Sequence, residues 1–140
     1  MAGKRRLANT DYQRLGEFRQ HLRQFLTFSE AAAVTAGLTP QQHQALLAIK
    51  GAPEQQLTAG QLAHWLGIKH HSAVGLIDRL SANALVERHH STQDRRQVIL
   101  VLTTKAEDLL AELSIAHRTE LERLAPLLRT LLAHFETDVR

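Results

Sequence analysis

The amino-acid sequence predicts a mainly α-helical protein with a small β-wing: a winged helix-turn-helix head plus N- and C-terminal dimerisation helices. Two short helices are predicted within residues 58–82, joined by a bend at Gly67. Two β-prone runs follow, residues 85–88 and 97–102, and the polar, loop-like segment 89–96 with its basic residues separates them. Helix, bend, helix and basic-tipped hairpin is the order of elements in a winged helix-turn-helix. The same order also fits a helical hairpin packed on a β-hairpin without a ligand.

Composition sets the broad class of protein. The 140 residues are 44% hydrophobic, which predicts a single winged-helix domain over residues 1–140. The chain has no cysteine, so disulfides and thiolate metal sites are excluded. No apolar run approaches the ~18 residues that span a membrane, and no signal-peptide pattern opens the chain, so we expect a cytoplasmic protein and no membrane partner.

The N-terminal region predicts one long amphipathic helix over about residues 10–36. Thr10 and Gln13 have the spacing of a capping box, and Gly37 suits the helix end. The preceding Lys4-Arg5-Arg6 predicts either a mobile tail or an arm that contacts phosphate.

The predicted head covers about residues 39–103. Thr39 and Pro40 favour the start of a helix that ends at Lys50-Gly51. Thr58 and Gln61 form a second capping-box pattern. The apolar face of the helix that follows is predicted to be Leu62, Ala63, Trp65 and Leu66. The next helix, about 70–82, is predicted to bury Ala73, Val74, Ile77 and Leu80.

The C-terminal region, about residues 104–138, is predicted to be helical. Thr104 and Glu107 have capping-box spacing. Pro126 predicts a break or kink between a helix that ends near Arg123 and one that runs to about Thr137. A near-heptad apolar seam lies along this region at Leu110, Leu113, His117, Leu121, Leu124, Leu128, Leu131 and Phe135. The two terminal regions offer more apolar surface than a small head can cover, which favours a homodimer over an intrachain bundle.

Several of these motifs together resemble the MarR (multiple antibiotic resistance regulator) family. The resemblance covers roughly residues 10–138 and depends on the runs 71–80 and 84–88, on Asp94-Arg95-Arg96 and on Leu102-Thr103. It implies a transcriptional regulator, and also a short strand at Gln56-Leu57 beside the wing. One departure is Asn83-Ala84, where such chains usually carry glycine, so Ala84 is expected to adopt a conformation that alanine tolerates.

The proposed head nominates residues for binding double-stranded DNA. The start of the second helix suits reading of base edges in the major groove. Adjacent His70 and His71 fit base reading, and equally a phosphate contact by one of them. Arg79 is expected to reach phosphate, or to pair with Asp78 or the wing. The DNA-binding residues predicted are Thr58, Gln61, Lys69, His70, His71, Ser72, Gly75, Arg79, Arg88, Asp94, Arg95 and Arg96.

The wing adds a minor-groove contact. Arg95 or Arg96 is expected to enter the groove where A·T-rich stretches concentrate negative potential. Asp94 is expected to hold Arg96 or Arg88 by a charge-assisted bond, as the resemblance implies, or to cap a turn. Two heads related by a two-fold axis predict a near-palindromic operator.

The resemblance also implies a repressor that is released by a small apolar or phenolic anion. Candidate pocket residues are Phe18, His21, Phe25, Phe28 and His43, and the alternative is that they belong to the core.

Other classes of function fit the sequence less well. There is no nucleophile elbow or phosphate loop, so no enzyme and no cofactor are expected. The nine histidines lack a helical i, i+4 metal pair, which argues against a metal-responsive regulator. A dimeric protein-interaction adaptor that uses the winged head on another protein is the remaining alternative, and the basic wing argues against it.

Overall fold

The computed structural model describes residues 6–136. The fold is mainly α-helical with a small antiparallel sheet, as the sequence predicts. The elements in chain order are α1 (Asn9–Thr35), α2 (Pro40–Gly51), a 3₁₀ turn (Pro53–Gln55), β1 (Leu57–Thr58), α3 (Ala59–Leu66), α4 (His70–Ala82), β2 (Val86–His90), β3 (Val98–Leu102) and α5 (Thr104–Glu136).

The chain divides into two compact units. The central unit is Ala32–Ser114, and the terminal unit consists of the segments up to Ala31 and from Ile115 onward. The Lys4-Arg5 part of the predicted basic arm and the predicted helix end at 137–138 lie outside the described residues.

The central unit has one apolar core. Its fully buried side chains come from α2, α3, α4 and the sheet, and include Leu46, Ile49, Leu62, Leu76, Leu80, Leu85 and Leu100. In the sheet, β3 lies between β1 and β2, with Leu57 opposite Leu100 and Arg88 opposite the same residue on the other side. The predicted strand at Leu57 is therefore confirmed.

Caps explain where α2 and α3 begin. Thr39 caps α2 as predicted, and the capping box predicted at Thr58 forms; each threonine makes reciprocal bonds with the glutamine three residues later. Gly67 ends α3 in the left-handed conformation at φ 66°, which costs glycine little.

Two predicted caps on the long helices are wrong by one position or more. Thr10 lies inside α1, where the Asp11 carboxylate accepts the Ala8 N–H at 2.8 Å. At α5 the cap is Thr103, not Thr104, because the Thr103 hydroxyl accepts the Ala106 N–H and also donates to the carbonyl of Ala84 at 2.7 Å. That tertiary bond favours Thr103.

Ala84 does not adopt the conformation expected of alanine. Its φ is 57°, in the left-handed region, and it ends α4 in the place where a glycine is usual. The Leu85 N–H bonds the Leu80 carbonyl at 2.9 Å and the Ala84 N–H bonds the Ser81 carbonyl at 3.0 Å, which closes the turn. Ala84 therefore keeps the left-handed backbone of this turn, with the steric strain that a Cβ adds there.

Of the break or kink predicted at Pro126, the break is wrong, because α5 is continuous through this residue. Proline removes one main-chain hydrogen bond. Leu124 and Leu131 on either side are buried, at 1% and 4% exposure, and hold the helix in place across the defect.

The terminal unit contains polar contacts between α1 and α5. His117 Nε2 lies 2.8 Å from Ser29 Oγ, and His134 Nε2 lies 2.8 Å from Asp11 Oδ1. Near them, the bidentate pairing of Arg123 with Glu120 lowers the pKa of the Glu120 carboxyl through its hydrogen bonds. Many large apolar side chains of this unit stay exposed, among them Leu15, Leu22, Leu26, Ile115, Leu121, Leu127 and Leu132.

Candidate nucleic-acid interface

The first turn of α4 presents polar side chains to solvent. Lys69 is the N-cap residue and makes no side-chain capping bond, so its ammonium group is not committed to the helix. His70, His71 and Ser72 are exposed beside it. The unpaired N–H groups of a helix start carry partial positive charge. This end of α4 therefore combines donors, adaptable imidazoles and a favourable dipole for an anionic partner.

The opposite face fixes the direction of α4. Ala73, Leu76, Ile77 and Leu80 are buried in the central core. The sequence placed Val74 on that face, but Val74 is 39% exposed and Leu76 takes its place. A period of 3.6 residues does not by itself set the centre of the buried stripe, which depends on where the sheet lies.

Trp65 on α3 is likewise misassigned by the sequence pattern. It was expected in the apolar face of α3, yet it is 73% exposed, whereas Leu62 and Ala63 are buried. Its hydrophobicity predicted a buried side chain, but the packing of α2 against α3 leaves the side chain exposed to solvent.

Gly75 is half-buried within α4. A Cβ built on it would come 3.5 Å from Arg79 Nη1, an ordinary contact. The fold of the chain therefore does not require glycine here, and the predicted close approach to another molecule stays a prediction. Among the residues that the structure describes, the Arg79 guanidinium makes no hydrogen bond, so its predicted pairing with Asp78 or the wing is not observed.

Arg88 joins the wing to α4. It forms an ion pair with Asp78 of α4, and both side chains are partly exposed. Asp78 was considered in the sequence only as a partner for Arg79, and its position ten residues before Arg88 gave no local signal. The pair fixes the start of the wing against the middle of α4.

Side-chain bonds to the main chain shape the wing tip. Ser91 Oγ accepts the N–H groups of Gln93 and Asp94, at 3.2 and 3.4 Å. Asp94 Oδ1 accepts the Arg96 N–H at 3.0 Å, so of the two predicted roles it is the turn cap that forms. The side chains of Arg95 and Arg96 are exposed at the tip.

The predicted loop at 89–96 is shorter than expected because β2 continues through His90. His90 Nδ1 lies 3.1 Å from the carbonyl oxygen of Arg95 and ties the strand to the tip. Sequence reasoning missed this role, and Ser91 with Asp94 three residues later was the available turn signal.

The start of α3 is the remaining predicted contact. Thr58 Oγ1 accepts the Gln61 N–H at 3.2 Å, and Gln61 Oε1 accepts the Thr58 N–H at 2.9 Å. Both side chains are thus engaged in capping. Any partner at this helix end would meet its main-chain donors first.

The candidate effector residues do not all fall in one unit. In the terminal unit, Phe25 and Phe28 contact His117 edge-on, with ring centroids 5.9 and 5.4 Å from the imidazole. Phe18 and His21 are half-buried on the same helix, and His21 Nδ1 is buried without a hydrogen-bond partner in the described chain. His43 is buried in α2 of the central unit.

Residues 6–136 contain neither a metal-ligand cluster nor a membrane-spanning helix. In this range, no three histidine, aspartate or glutamate side chains converge as a metal-ligand group. None of the described helices is long and apolar enough to cross a membrane.

Known proteins share this architecture. Residues 36–97 match the model of the MarR family. An uncharacterised HTH-type transcriptional regulator of Bacillus subtilis, YfiV, is 33% identical over 72 residues, which are 51% of this chain and 45% of that protein. The chain thus spans less than half the length of this curated relative.

Solved structures extend the likeness over nearly the whole chain. AbsC, a MarR family transcriptional regulator from Streptomyces coelicolor, superposes with a TM-score of 0.72 at 19% identity, covering 98% of this chain and 94% of that one. Sco3205, a MarR family regulator from the same organism solved in complex with DNA, gives 0.68 at 18% identity, covering 96% and 89%.

Proposed function

We propose that this chain is a transcriptional regulator of the MarR family that binds double-stranded DNA as a homodimer, because residues 36–97 match the model of that family. In each copy, α4 enters the major groove and the wing reaches the neighbouring minor groove. The observation that carries this proposal is the exposed polar start of α4, on a helix whose opposite face is locked into the core, next to an arginine-tipped wing.

The dimensions of α4 support groove entry. Its 13 residues span ~20 Å, and the major groove is ~12 Å wide. Lys69, His70, His71 and Ser72 at its start contact bases and phosphates in this proposal. Gly75 permits close approach to the backbone, and Arg79 contacts phosphate. Donors at the start of α3, which Thr58 and Gln61 hold in place, bind a further phosphate.

The wing contributes charge at a fixed position. Arg95 and Arg96 contact the minor groove, where a narrow A·T-rich stretch attracts guanidinium groups. Asp94 and His90 act on the main chain of the tip and position these arginines. Arg88, paired with Asp78, sets the angle between the wing and α4.

The homodimer is supported by the apolar surface of the terminal unit. Each large apolar side chain that passes from water into an interface contributes ~1.5–3 kcal/mol, and this unit leaves many of them exposed. A two-fold interface covers the same surface on both copies. The operator is then near-palindromic, with half-site centres ~10 bp apart or slightly more.

We further propose that the protein acts in the cytoplasm as a repressor that a small apolar or phenolic anion releases from DNA. Phe18, His21, Phe25, Phe28 and His43 are the candidates to sense this ligand. The imidazoles of His21 and His43 offer hydrogen bonds to an anion, and the phenylalanines offer contacts to its apolar body.

The decisive experiment is selection of bound fragments from random duplex DNA, followed by a salt titration on the selected site. A near-palindromic sequence is expected, with affinity that falls as salt rises. Retention of protein partners without preference for any DNA sequence would favour the adaptor alternative instead.

Variants assign the contacts. Arg96→Ala should flatten the slope of log affinity against log salt by roughly one phosphate contact per chain. Arg129→Ala on α5 is the matched control, since it removes the same charge outside the surface proposed to contact DNA. His71→Ala should change site preference more than total affinity, and equal losses on selected and random DNA would contradict base reading.

A further inference from the structure

A small hollow lies beside the exposed tryptophan of the central unit. It is enclosed by the end of α2, the 3₁₀ turn, β1 and α3, and its volume is about 160 Å³. None of the residues nominated for DNA or effector binding lines it. The wall is formed by apolar side chains and one glycine, among them Leu47, Ala48, Gly51, Pro53, Leu57 and Trp65.

Large apolar side chains in the outer wall of the hollow are exposed to solvent. Trp65 is 73% exposed and Leu47 is 52% exposed, whereas Ala48 at the base is 7% exposed. A buried base with exposed apolar walls is a concave site that an apolar molecule would complete.

A strained turn forms one side of the hollow. Glu54 and Gln55 directly after Pro53 both have left-handed φ values, 58° and 57°. Such residues cost about 1–3 kcal/mol each and persist where surrounding contacts determine them. Here the Gln55 N–H bonds the Ala52 carbonyl at 2.9 Å, and Lys50 Nζ donates to Gln55 Oε1 at 3.1 Å. These bonds hold Pro53 at the wall without an occupant.

We propose that this hollow binds an uncharged, single-ring aromatic molecule, with Trp65 covering one face of the ring. The size supports one ring, because an apolar protein cavity of ~150 Å³ accepts benzene. The wall supports a neutral ligand, because none of the described residues that line it is ionisable and an unpaired charge there would lose its hydration. The ligand class therefore differs from the anionic effector proposed above.

This site is independent of the DNA-binding proposal. Binding at the hollow requires only the central unit, and its test uses no DNA. Failure at the hollow would leave the regulator proposal intact, and failure to bind DNA would leave the hollow intact.

Tryptophan emission gives a direct test, because Trp65 is the only tryptophan in the sequence. Bromobenzene is the probe, since its heavy atom quenches indole emission on contact. The full chain should show saturable quenching with a dissociation constant on the order of a millimolar or below. The charged analogue 4-bromobenzoate should give only linear, collisional quenching.

Pocket-filling variants establish the location. A Cβ added at Gly51 meets open space, so Gly51→Leu should fill the hollow, keep the helical circular dichroism and turn the bromobenzene curve linear. Leu47→Ala removes a wall and should raise the dissociation constant about tenfold; it serves where Gly51→Leu does not fold. Gln44→Leu, exposed on α2 and outside the wall, should keep the parent curve.

Three results would overturn the proposal. They are linear bromobenzene quenching of the parent chain, an equally saturable curve with 4-bromobenzoate, and an unchanged midpoint in both the Gly51 and the Leu47 variants.

Discussion

The central and terminal units differ in how far a single chain completes its core. In the central unit, leucines from four helices and the sheet are almost fully buried around one centre. In the terminal unit, the hydrophobic side chains that are buried among the described residues are Leu124 and Leu131, and many leucines remain exposed. The central unit closes its core within one chain, whereas the terminal unit leaves apolar surface exposed that the proposed dimer would cover. A sheet with helices on one face closes its core locally, whereas two long helices have more apolar stripe than each other's faces can cover.

The largest expected effect tests the closed core. Leu80 has no exposed surface, so Leu80→Ala should lower the free energy of unfolding by about 2–5 kcal/mol in urea denaturation. Leu47→Ala, at a half-exposed position, should cost about 0.5 kcal/mol or less. Similar losses for the two variants would contradict the closed core.

The next effect tests the open unit. Leu132 and Leu47 are equally exposed, at 51% and 52%, but only Leu132 lies in the terminal unit. Leu132→Asn should raise the dimer dissociation constant at least about tenfold in sedimentation equilibrium, because two copies lose apolar burial. Leu47→Asn should leave it unchanged. A monomeric parent chain would refute the reading of this face as an interface.

A smaller effect tests backbone strain at the end of α4. Ala84→Gly should raise the free energy of unfolding by about 1 kcal/mol, because φ at this position is left-handed and glycine adopts it without a Cβ clash. Ala82→Gly, in the last helical residue, should lower it by about 0.5–1 kcal/mol. Changes of the same sign in thermal unfolding would show that the strain at Ala84 is not real.

The smallest effect concerns an ion pair of the terminal unit. Hydrogen bonds from Arg123 lower the pKa of Glu120 below 4.5, so the pair stabilises the fold above that pH and its contribution is lost as the pH falls through the folded pKa. Arg123→Gln should therefore lose less stability than the parent between about pH 5 and pH 3. The Arg123 side chain is half-exposed, so solvent screens the pair and the difference will be small. Arg129→Gln should follow the parent; a curve for Arg123→Gln parallel to it would contradict the pairing.

Local signals predicted the central unit well. The helix start at Thr39, the capping box at Thr58, the bend at Gly67 and the extent of α4 are confirmed, because each depends on residues close together in the sequence. The wing strands were predicted in the right order, although β2 runs two residues further than expected. The assignment of base and phosphate contacts stays a prediction.

Errors occurred where a distant contact decided the outcome. Val74 and Trp65 are exposed because the positions of the sheet and of α2 set which helix face is buried. Arg88 pairs with Asp78. The sequence had offered Arg79 as the partner of Asp78 and Asp94 as a partner of Arg88, and only the position of the wing against α4 decides between these pairings.

The sequence by itself determined the order and type of the elements, the caps of α2 and α3, and the resemblance to a family whose model matches residues 36–97. These features depend on hydrogen bonds and periodicities among residues close in the sequence, so they can be predicted from the sequence. Only the tertiary structure decided that Thr103 caps α5, that Ala84 keeps a left-handed backbone, and that α5 continues through Pro126. In each case a contact from elsewhere in the chain, or a buried leucine on either side, outweighs the local preference of one residue.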